Sequence, residues 1–512
     1  MPIDQEGNGL NRGFITFAVM LATVMQVLDT TIVNVALPHM QGAFSATQDQ
    51  VAWILTSYLV AAAVMTPPTG WLAARLGRKR LFLISVTMFT IMSMLCGMAG
   101  TLEEIVIFRL LQGVAGAALV PLSQAVLLDS YPRERHGTAM ALWGIGIMVG
   151  PILGPTLGGY LTEFYSWRWV FYINLPVGIL AFFSILAVVP ETPQRRDRPF
   201  DISGFVFLSL GIIFLQLMLD RGQHNDWFSS PEIVIETCIM GLAFYLYLVH
   251  SATTRHPFLD PGLLQDRNFT MGLVLIFVVG IILLATIAIL PPYLQSLMDY
   301  PVFTIGLILA PRGVGTMISM FMVGRLVNRV DTRLLIFTGF ILTTVSLWMM
   351  AQFNLQISES AIIWSGVVQG LGLGLIFVPL STIAFSTLAP TLRTEAAGIF
   401  SLVRNIGSSI GISVIFTLFS HNLQVNHARL AQHVSPYNPL YQAPFLPDAW
   451  NIHTPPGLMA LNAEVTRQAA QIAYLDDFRL MMFITLFTLP LVFLLRRSDS
   501  HPTGVATAAT TD

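Results

Sequence analysis

The chain has 512 residues, of which 54% are hydrophobic and only 11% are charged. Charged residues make up about 25% of an ordinary soluble protein, so this composition excludes a soluble globular domain and indicates a protein embedded in lipid. The formal net charge of −2 says little on its own, and the sequence shows no basic footprint of the kind that binds nucleic acid.

Apolar runs recur from one end of the chain to the other. Each run is about 20 residues long, which is the length of helix that crosses a hydrocarbon core of about 30 Å. The sequence therefore predicts an all-α integral membrane protein with fourteen transmembrane helices. The predicted spans are 14–37, 51–74, 81–100, 104–128, 138–161, 169–190, 202–220, 231–250, 270–292, 304–327, 334–352, 361–388, 396–420 and 478–495.

The arginines between the predicted helices fall mainly on one face of the membrane. Only Arg168, Arg221, Arg429 and Arg467 fall on the other face. Positive residues are enriched in cytoplasmic loops, so the arginine-rich face is predicted to be cytoplasmic. An even number of spans then places both termini in the cytoplasm.

Two similar stretches, GWLAARLGRKRLF at 70–82 and GRLVNRVDTRLLIF at 324–337, each join two predicted helices on the predicted cytoplasmic face. Their positions predict two six-helix bundles related by a pseudo-two-fold axis, with two further helices inserted between them. The long outer loop at 421–476 contains short periodic pieces, so we expect it to be partly helical. The predicted organisation is a first bundle at 1–190, a linker with two extra helices at 191–269, and a second bundle with the outer loop and a short cytoplasmic tail at 270–512.

Asp29 lies inside the first apolar run, where a carboxylate costs roughly 2.5–3.5 kcal/mol to insert. Gln26, Thr30 and Asn34 follow one another at intervals of four residues and form a polar strip beside it. This strip must face protein or water. Two interpretations stay open: a packing carboxylate satisfied by hydrogen bonds, or a group that carries a proton or gates the protein.

Other embedded cations raise the same question. Arg109 shares one helix face with Gln112 and belongs to the same predicted bundle as Asp29, so the two charges are placed to interact, either structurally or functionally. Arg312 and Arg404 lie in predicted helices of the second bundle. Each is a candidate contact for a substrate anion or for a cluster of carbonyl oxygens.

The fifth predicted helix contains GIGIMVGPILGPTLGG. A stripe of small residues allows a neighbouring helix to approach closely, while prolines remove backbone hydrogen bonds and bend a helix. The combination indicates a conformational joint, although close packing alone would explain the glycines. The stripe consists of Gly146, Gly150, Gly154 and Gly158, with Pro151 and Pro155 between them.

No motif in the chain indicates an enzyme or a metal site. The P-loop needs a lysine after glycine, and Lys79, the only lysine, lies between two arginines. His421, His427 and His433 are spaced by six residues, which does not align them on one helical face. We therefore expect neither ATP hydrolysis by a P-loop nor metal binding.

Several motifs together make this chain similar to the major facilitator superfamily, and within it to the fourteen-helix drug:proton antiporters. The resemblance covers nearly the whole chain. It rests on GWLAARLGRKR in the first loop, RLLQG in the fourth helix, GPILGPTLGG in the fifth helix, LDTTIVNVALP in the first helix, and WRWVFYINLPVG at 167–178.

The resemblance implies export of hydrophobic drugs in exchange for protons, energised by the proton motive force without a cofactor. It also implies a periplasmic adaptor and an outer-membrane channel as partners. Asp29 matches the acid of the first helix and Arg109 the arginine thought to assist proton transfer. The loop motif matches at Gly70, Gly77, Arg78 and Lys79, but Ala74 stands where the motif usually has an acid.

Two other functions would use the same scaffold. One is a transporter of a defined nutrient or siderophore, which would differ in the direction of transport and in competition among unrelated compounds. The other is a non-transporting membrane scaffold that assembles an envelope complex through 421–476, which would show no solute flux.

Overall fold

The computed structural model describes residues 9–132, 135–194, 199–223, 225–327, 329–435, 437–438 and 450–496, and all regular elements among them are helical. Part of the predicted basic linker (195–198), the middle of the outer loop (439–449) and the tail beyond residue 496 lie outside these residues. The helices are α1 Gly9–Phe44, α2 Gln48–Met65, α3 Thr69–Leu76, α4 Arg78–Met98, α5 Leu102–Gly116, α6 Leu119–Ser130, α7 His136–Phe164, α8 Trp169–Tyr172, α9 Asn174–Val188, α10 Ile202–Arg221, α11 Pro231–Thr253, α12 Pro261–Gln265, α13 Arg267–Ser296, α14 Val302–Leu326, α15 Thr332–Met350, α16 Glu359–Ser386, α17 Arg393–Ala431 and α18 Pro455–Val492.

Twelve spans among the described residues are long and apolar enough to cross a membrane, and the bent pair α2 and α3 makes a thirteenth. The single helix predicted at 51–74 is wrong, because α2 and α3 meet at 60°. Pro67 and Pro68 lie in this bend, and prolines lack the N–H group that would continue the helix. The fourteenth predicted span lies within α18, whose apolar part also carries Asp476, Asp477 and Arg479.

The two groups α1–α9 and α13–α18 pack against each other near the loops that carry the repeated motif; we call this side the loop-motif end. Asp129, the residue before the last of α6, accepts a hydrogen bond from Nη1 of Arg393 at 2.7 Å. Thr138 donates to the carbonyl oxygen of Gly324 at 3.1 Å. The loop-motif end is therefore closed between the bundles.

The opposite end is extended by the long helices α17 and α18. The rings of Phe419 and Tyr474 lie 4.3 Å apart, and further out His427 lies 3.0 Å from Oδ1 of Asn462. The predicted outer loop is thus helical at both of its ends, as expected from its periodic pieces.

The inserted pair α10 and α11 touches both bundles through α10 and the loop that follows it. Thr56 of α2 donates to Asp220 of α10, and Ser413 of α17 donates to the carbonyl oxygen of Leu219 at 2.9 Å. Trp227, between α10 and α11, donates to Thr417 at 3.0 Å. The pair therefore covers the seam between α2 and α17.

The other seam, between α7 and α14, ends in a cleft. Gly313 of α14 lies against Ile152 of α7, and Gly324 against Ala141, so the two helices pack along much of their length. Beside the contact between Thr138 and Gly324, a surface cleft of about 630 Å³ lies at the loop-motif end of this seam, lined by Tyr131, Arg135, Thr138, Gly324, Arg325 and Arg329.

Replacing Asp129 with asparagine is expected to loosen the closure of the loop-motif end. The carboxylate joins Arg78 of the first bundle to Arg393 of the second, and a partly exposed ion pair of this kind contributes about 1 kcal/mol. The measurement uses a parent in which Cys96 and Cys238 are replaced by alanine and a cysteine is introduced at buried Ala396. Adding Asp129→Asn to this parent should make that cysteine react with a thiol reagent about fivefold faster.

Glu232→Gln provides the control, because Glu232 forms an exposed ion pair with Arg221 at the opposite end. It should leave the labelling rate unchanged. Equal rates in the Asp129 variant and the parent would contradict a role of Asp129 in closure.

Candidate functional site

Asp29 and Arg109 form an ion pair in the middle of the first bundle. Nη1 of Arg109 lies 2.6 Å from Oδ2 of Asp29, and both side chains are 0% exposed. Arg109 is placed by α5, which begins at Leu102 after Thr101 accepts a hydrogen bond from the N–H of Glu104. The two charges that the sequence located separately are thus in direct contact.

Two amides complete the surroundings of the carboxylate. Gln112 of α5 donates to Oδ1 of Asp29 at 3.0 Å, and Asn174 of α9 donates to the same atom at 2.8 Å. Asn174 also donates to Ser93 of α4 at 2.9 Å. Three helices, α1, α5 and α9, therefore meet at this carboxylate, and α4 joins them through the bond between Asn174 and Ser93.

Tyr58 of α2 covers the other side of the arginine. The guanidinium carbon lies 4.2 Å from the centre of the Tyr58 ring, which is a favourable cation–π distance. Nε of Arg109 donates to the carbonyl oxygen of Ile54 at 3.2 Å, and Gln26 donates to the Tyr58 hydroxyl at 3.3 Å. Nη2 of Arg109 has no acceptor among the described residues.

Only part of the predicted polar strip belongs to this site. Gln26 reaches it through Tyr58, whereas Thr30 donates to the carbonyl oxygen of Val27 at 2.8 Å. Asn34 is exposed and donates to the carbonyl oxygen of Thr30 at 3.3 Å. Thr30 and Asn34 therefore satisfy their own helix instead of contacting Asp29.

The glycine stripe of α7 packs on α1 beside Asp29. A methyl group added at Gly150 would lie 2.6 Å from Cγ1 of Val27 and 3.0 Å from the backbone nitrogen of Leu28. Thr31 also donates to the carbonyl oxygen of Gly150 at 3.1 Å. Gly146, Gly154 and Gly158 lie against Met20, Thr31 and Ile32 of α1, and α7 continues as one helix through Pro151 and Pro155.

The first loop motif lies at the loop-motif end. Gly77 has a φ of 88°, a left-handed conformation that favours glycine, and it separates α3 from α4. A methyl group at Gly70 would lie 2.7 Å from Cα of Glu395 in the second bundle. Arg78 pairs with Asp129, and Lys79 follows it in the first turn of α4.

Ala74 stands where the loop motif usually has an acid, but Asp129 of α6 supplies a carboxylate to Arg78 of the motif. Asp129 contacts both Arg78 and Arg393. In the second copy of the motif, Asp331 accepts a hydrogen bond from the N–H of Arg333 at 3.0 Å and caps α15.

Arg312 is buried and Arg404 is half-buried in the second bundle, and neither forms an ion pair with a carboxylate in the part of the chain that the structure describes. Nη2 of Arg312 lies 3.5 Å from the carbonyl oxygen of Leu283. The guanidinium carbon of Arg404 lies 6.0 Å from the centre of the Phe377 ring, which stacks on Trp143 of the first bundle at 5.8 Å. Arg404 is thus close to the contact between the bundles.

These features define a class of protein: two helix bundles closed at one end, with a buried ion pair in the first and a stripe of glycines beside it. The family model of the Major Facilitator Superfamily matches residues 19–412, and the chain belongs to this superfamily. It is therefore a multi-pass membrane transporter and not an enzyme.

The comparisons also identify more specific relatives. The chain is 37% identical over 437 residues to the multidrug export protein EmrB of Escherichia coli strain K12, and the aligned region covers 85% of each protein. It is 35% identical over 431 residues to the fatty acid resistance protein FarB of Neisseria gonorrhoeae, covering 84% of this chain and 85% of that protein. The resemblance to drug exporters that the motifs indicated is confirmed.

A solved structure supports the fold alone. The human organic anion transporter MFSD10 (TETRAN) superimposes with a TM-score of 0.60 and 12% sequence identity, covering 93% of this chain and 99% of that one.

Sequence reasoning missed Tyr58, Ser93 and Asn174. Each is an uncharged residue in an apolar helix, and such residues occur throughout membrane helices without a special role. Asn174 stood inside the antiporter signature at 167–178, which was the one available signal.

Proposed function

We propose that this transporter exports hydrophobic compounds across the inner membrane in exchange for protons, by alternating access, and that Asp29 carries the coupling proton. The observation that carries the proposal is the fully buried pair of Asp29 and Arg109. A buried pair of this kind depends on both charges, because removing one leaves the other without compensation.

Protonation of Asp29 would supply the switch. The proton cancels the charge of the carboxylate, so the interaction with Arg109 weakens and the hydrogen bonds from Gln112 and Asn174 lose an ionised acceptor. These bonds join α1 to α5 and α9. Gaining or losing the proton therefore changes how strongly α1 is held, and α1 also carries the contact with the glycine stripe.

The available driving force is sufficient for this exchange. A membrane potential supplies about 2.3 kcal/mol per charge per 100 mV, and one pH unit supplies about 1.4 kcal/mol. One proton can therefore support accumulation by several hundredfold.

The orientation follows from the arginine distribution. The loop-motif end, with both termini, faces the cytoplasm, and the extension of α17 and α18 faces the periplasm. We assign to this extension the contact with a periplasmic adaptor of the EmrA type, which would lead to an outer-membrane channel of the TolC type. The similarity to EmrB supports this assignment.

The substrate class includes hydrophobic acids. Arg404 lies near the contact between the bundles and has no described carboxylate partner, so it is suited to an anionic group, and one relative is a fatty acid resistance protein. Arg312 is a second cation of the same bundle. Gln26 and Gln112 line the neighbouring ion-pair site, whereas Asn34 is exposed.

Replacing Arg404 with glutamine is expected to slow the export of hydrophobic acids by about tenfold, because a charge-assisted hydrogen bond contributes about 1.5–3 kcal/mol. Export of neutral compounds of similar size should change little. The measurement is initial efflux from proteoliposomes with one acidic and one neutral fluorescent compound. Arg429→Gln, at an exposed position on the same helix, is the control, and equal losses for both compounds would contradict the assignment.

The proposed function itself is tested with purified wild-type protein in proteoliposomes. Uptake of several unrelated hydrophobic compounds is measured with an imposed pH gradient, with a membrane potential, or with neither. Uptake should occur only when a gradient is present, and the compounds should compete with one another. Transport of one defined metabolite without such competition would favour the nutrient transporter. Absence of any solute flux, with an adaptor still bound, would favour the scaffold.

A further inference from the structure

A second buried acid lies in the other bundle. Asp477 of α18 is 1% exposed, and neither of its carboxylate oxygens has a hydrogen-bond partner among the described residues. Asp29, in contrast, accepts hydrogen bonds from Arg109, Gln112 and Asn174. Asp29 therefore has hydrogen-bond donors and a counterion around its carboxylate, whereas Asp477 has no hydrogen-bond partner among the described residues.

The surroundings of Asp477 are mainly aromatic and apolar. Tyr474 and Phe478 of the same helix lie 5.3 and 6.5 Å from the ring of Tyr293 in α13. One turn further along α18, Met481 accepts a weak hydrogen bond from Thr286. This face of α18 thus packs into the core of the second bundle.

No cation among the described residues compensates Asp477. Its neighbour Asp476 pairs with Arg479 at 3.1 Å, and both of those side chains are exposed. The helices packed against α18 are α13, α15 and α17. Their titratable and charged groups are Tyr293 and Arg267 on α13, Arg333 on α15, and Arg393, Glu395, Arg404, His421, His427 and Arg429 on α17.

Three of these groups are far along their helices from Asp477, whereas Tyr293 contacts Tyr474, and His421 follows Phe419, which also packs on Tyr474. Arg267, Arg333 and Arg393 lie in the first turns of their helices at the loop-motif end. The hydroxyl of Tyr293 lies 3.5 Å from the carbonyl oxygen of Asn354. None of them is within ion-pair distance of Asp477.

An ionised carboxylate without a donor or a counterion is too costly to bury, and such a group takes up a proton instead. Asp477 lies about 22 Å along α18 from Val492, and Asp29 lies about 26 Å along α1 from Arg12. Each acid therefore lies well inside its helix, away from the helix end at the loop-motif end.

We propose that Asp477 is protonated in this conformation and is a second proton-carrying group of the transporter. In the cycle, its O–H bond breaks when α18 becomes accessible from the cytoplasm, and the proton passes to water. The carboxylate then accepts a proton from the periplasmic side and returns to its buried position. This proposal rests on the proposed exchange of substrate for protons.

Protonation is measured directly by infrared difference spectroscopy of the full-length protein in lipid at neutral pH. Wild type should show a carbonyl band of a protonated carboxylic acid that shifts in D2O. The band should be absent in Asp477→Asn and retained in Asp29→Asn and in Asp476→Asn, the adjacent exposed acid. A spectrum unchanged by Asp477→Asn would overturn the proposal.

Participation in the cycle is measured by proton release on adding a transported fluorescent drug to purified protein in weakly buffered detergent solution. Asp477→Asn should release one proton fewer per drug than wild type, while Asp476→Asn should match wild type. Equal release by wild type and Asp477→Asn would overturn the second proton site. If only Asp29→Asn reduces release, the proposed function holds and this inference fails; if wild type releases none, the proposed function fails as well.

Discussion

Replacing Asp29 with asparagine is expected to abolish export driven by a pH gradient, while binding of the drug is retained. Asparagine has nearly the same shape as aspartate but carries no titratable proton. The three helices that meet at this residue would keep their places, yet the coupling step would be lost. Efflux and equilibrium binding, both measured in proteoliposomes, test the two parts of this expectation.

The stability of the same variant separates coupling from folding. Asp29→Asn leaves the buried charge of Arg109 without its counterion, which is expected to lower stability by about 3–5 kcal/mol. Adding Arg109→Gln removes that charge and should restore much of the thermal stability, but not export. Unchanged export in Asp29→Asn would return Asp29 to a packing role and direct the search for the proton site elsewhere.

Replacing Gly150 with alanine is expected to reduce export by about tenfold or more, because overpacking a tight contact costs about 1–3 kcal/mol. The added methyl group would lie 2.6 Å from Val27 and 3.0 Å from the backbone of Leu28. This contact is one turn or less from Asp29. The substitution therefore pushes α7 away from the part of α1 that holds the ion pair.

A matched control lies on the same helix. A methyl group at Gly159 would approach its nearest neighbour, Val35, only to 4.0 Å, which is an ordinary van der Waals distance. Gly159→Ala should therefore export at the wild-type rate at equal expression. Equal effects of the two substitutions would show that helix propensity, and not the contact with α1, limits export.

The sequence indicated the charged half of the site but not its geometry. Asp29 and Arg109 were visible because a charge in a membrane helix is costly. Their contact depends on how α1 and α5 are rotated and spaced, which no pattern within one helix specifies. Tyr58 and Asn174 were missed because a neutral polar side chain in a membrane helix carries little cost and therefore little signal.

The helix boundaries failed for a related reason. Pro67 and Pro68 were present in the predicted second span, but the apolar run continues on both sides of them and concealed the bend between α2 and α3. The last predicted span, 478–495, starts just after Asp476 and Asp477 and therefore leaves Asp477 out. In the structure, the single helix α18 contains both Asp477 and most of the apolar run that follows it.

The inserted helices α10 and α11 make the two flanks of the transporter unequal. α10 binds both α2 and α17, and α11 packs on α10, so the pair covers one flank of the contact between the bundles with an extra layer of helix. The opposite flank, where α7 meets α14 and the cleft lies, is without this layer. Lipid-borne substrates should enter from one side only, and the rocking of the bundles must either stretch the covering helices or carry them along.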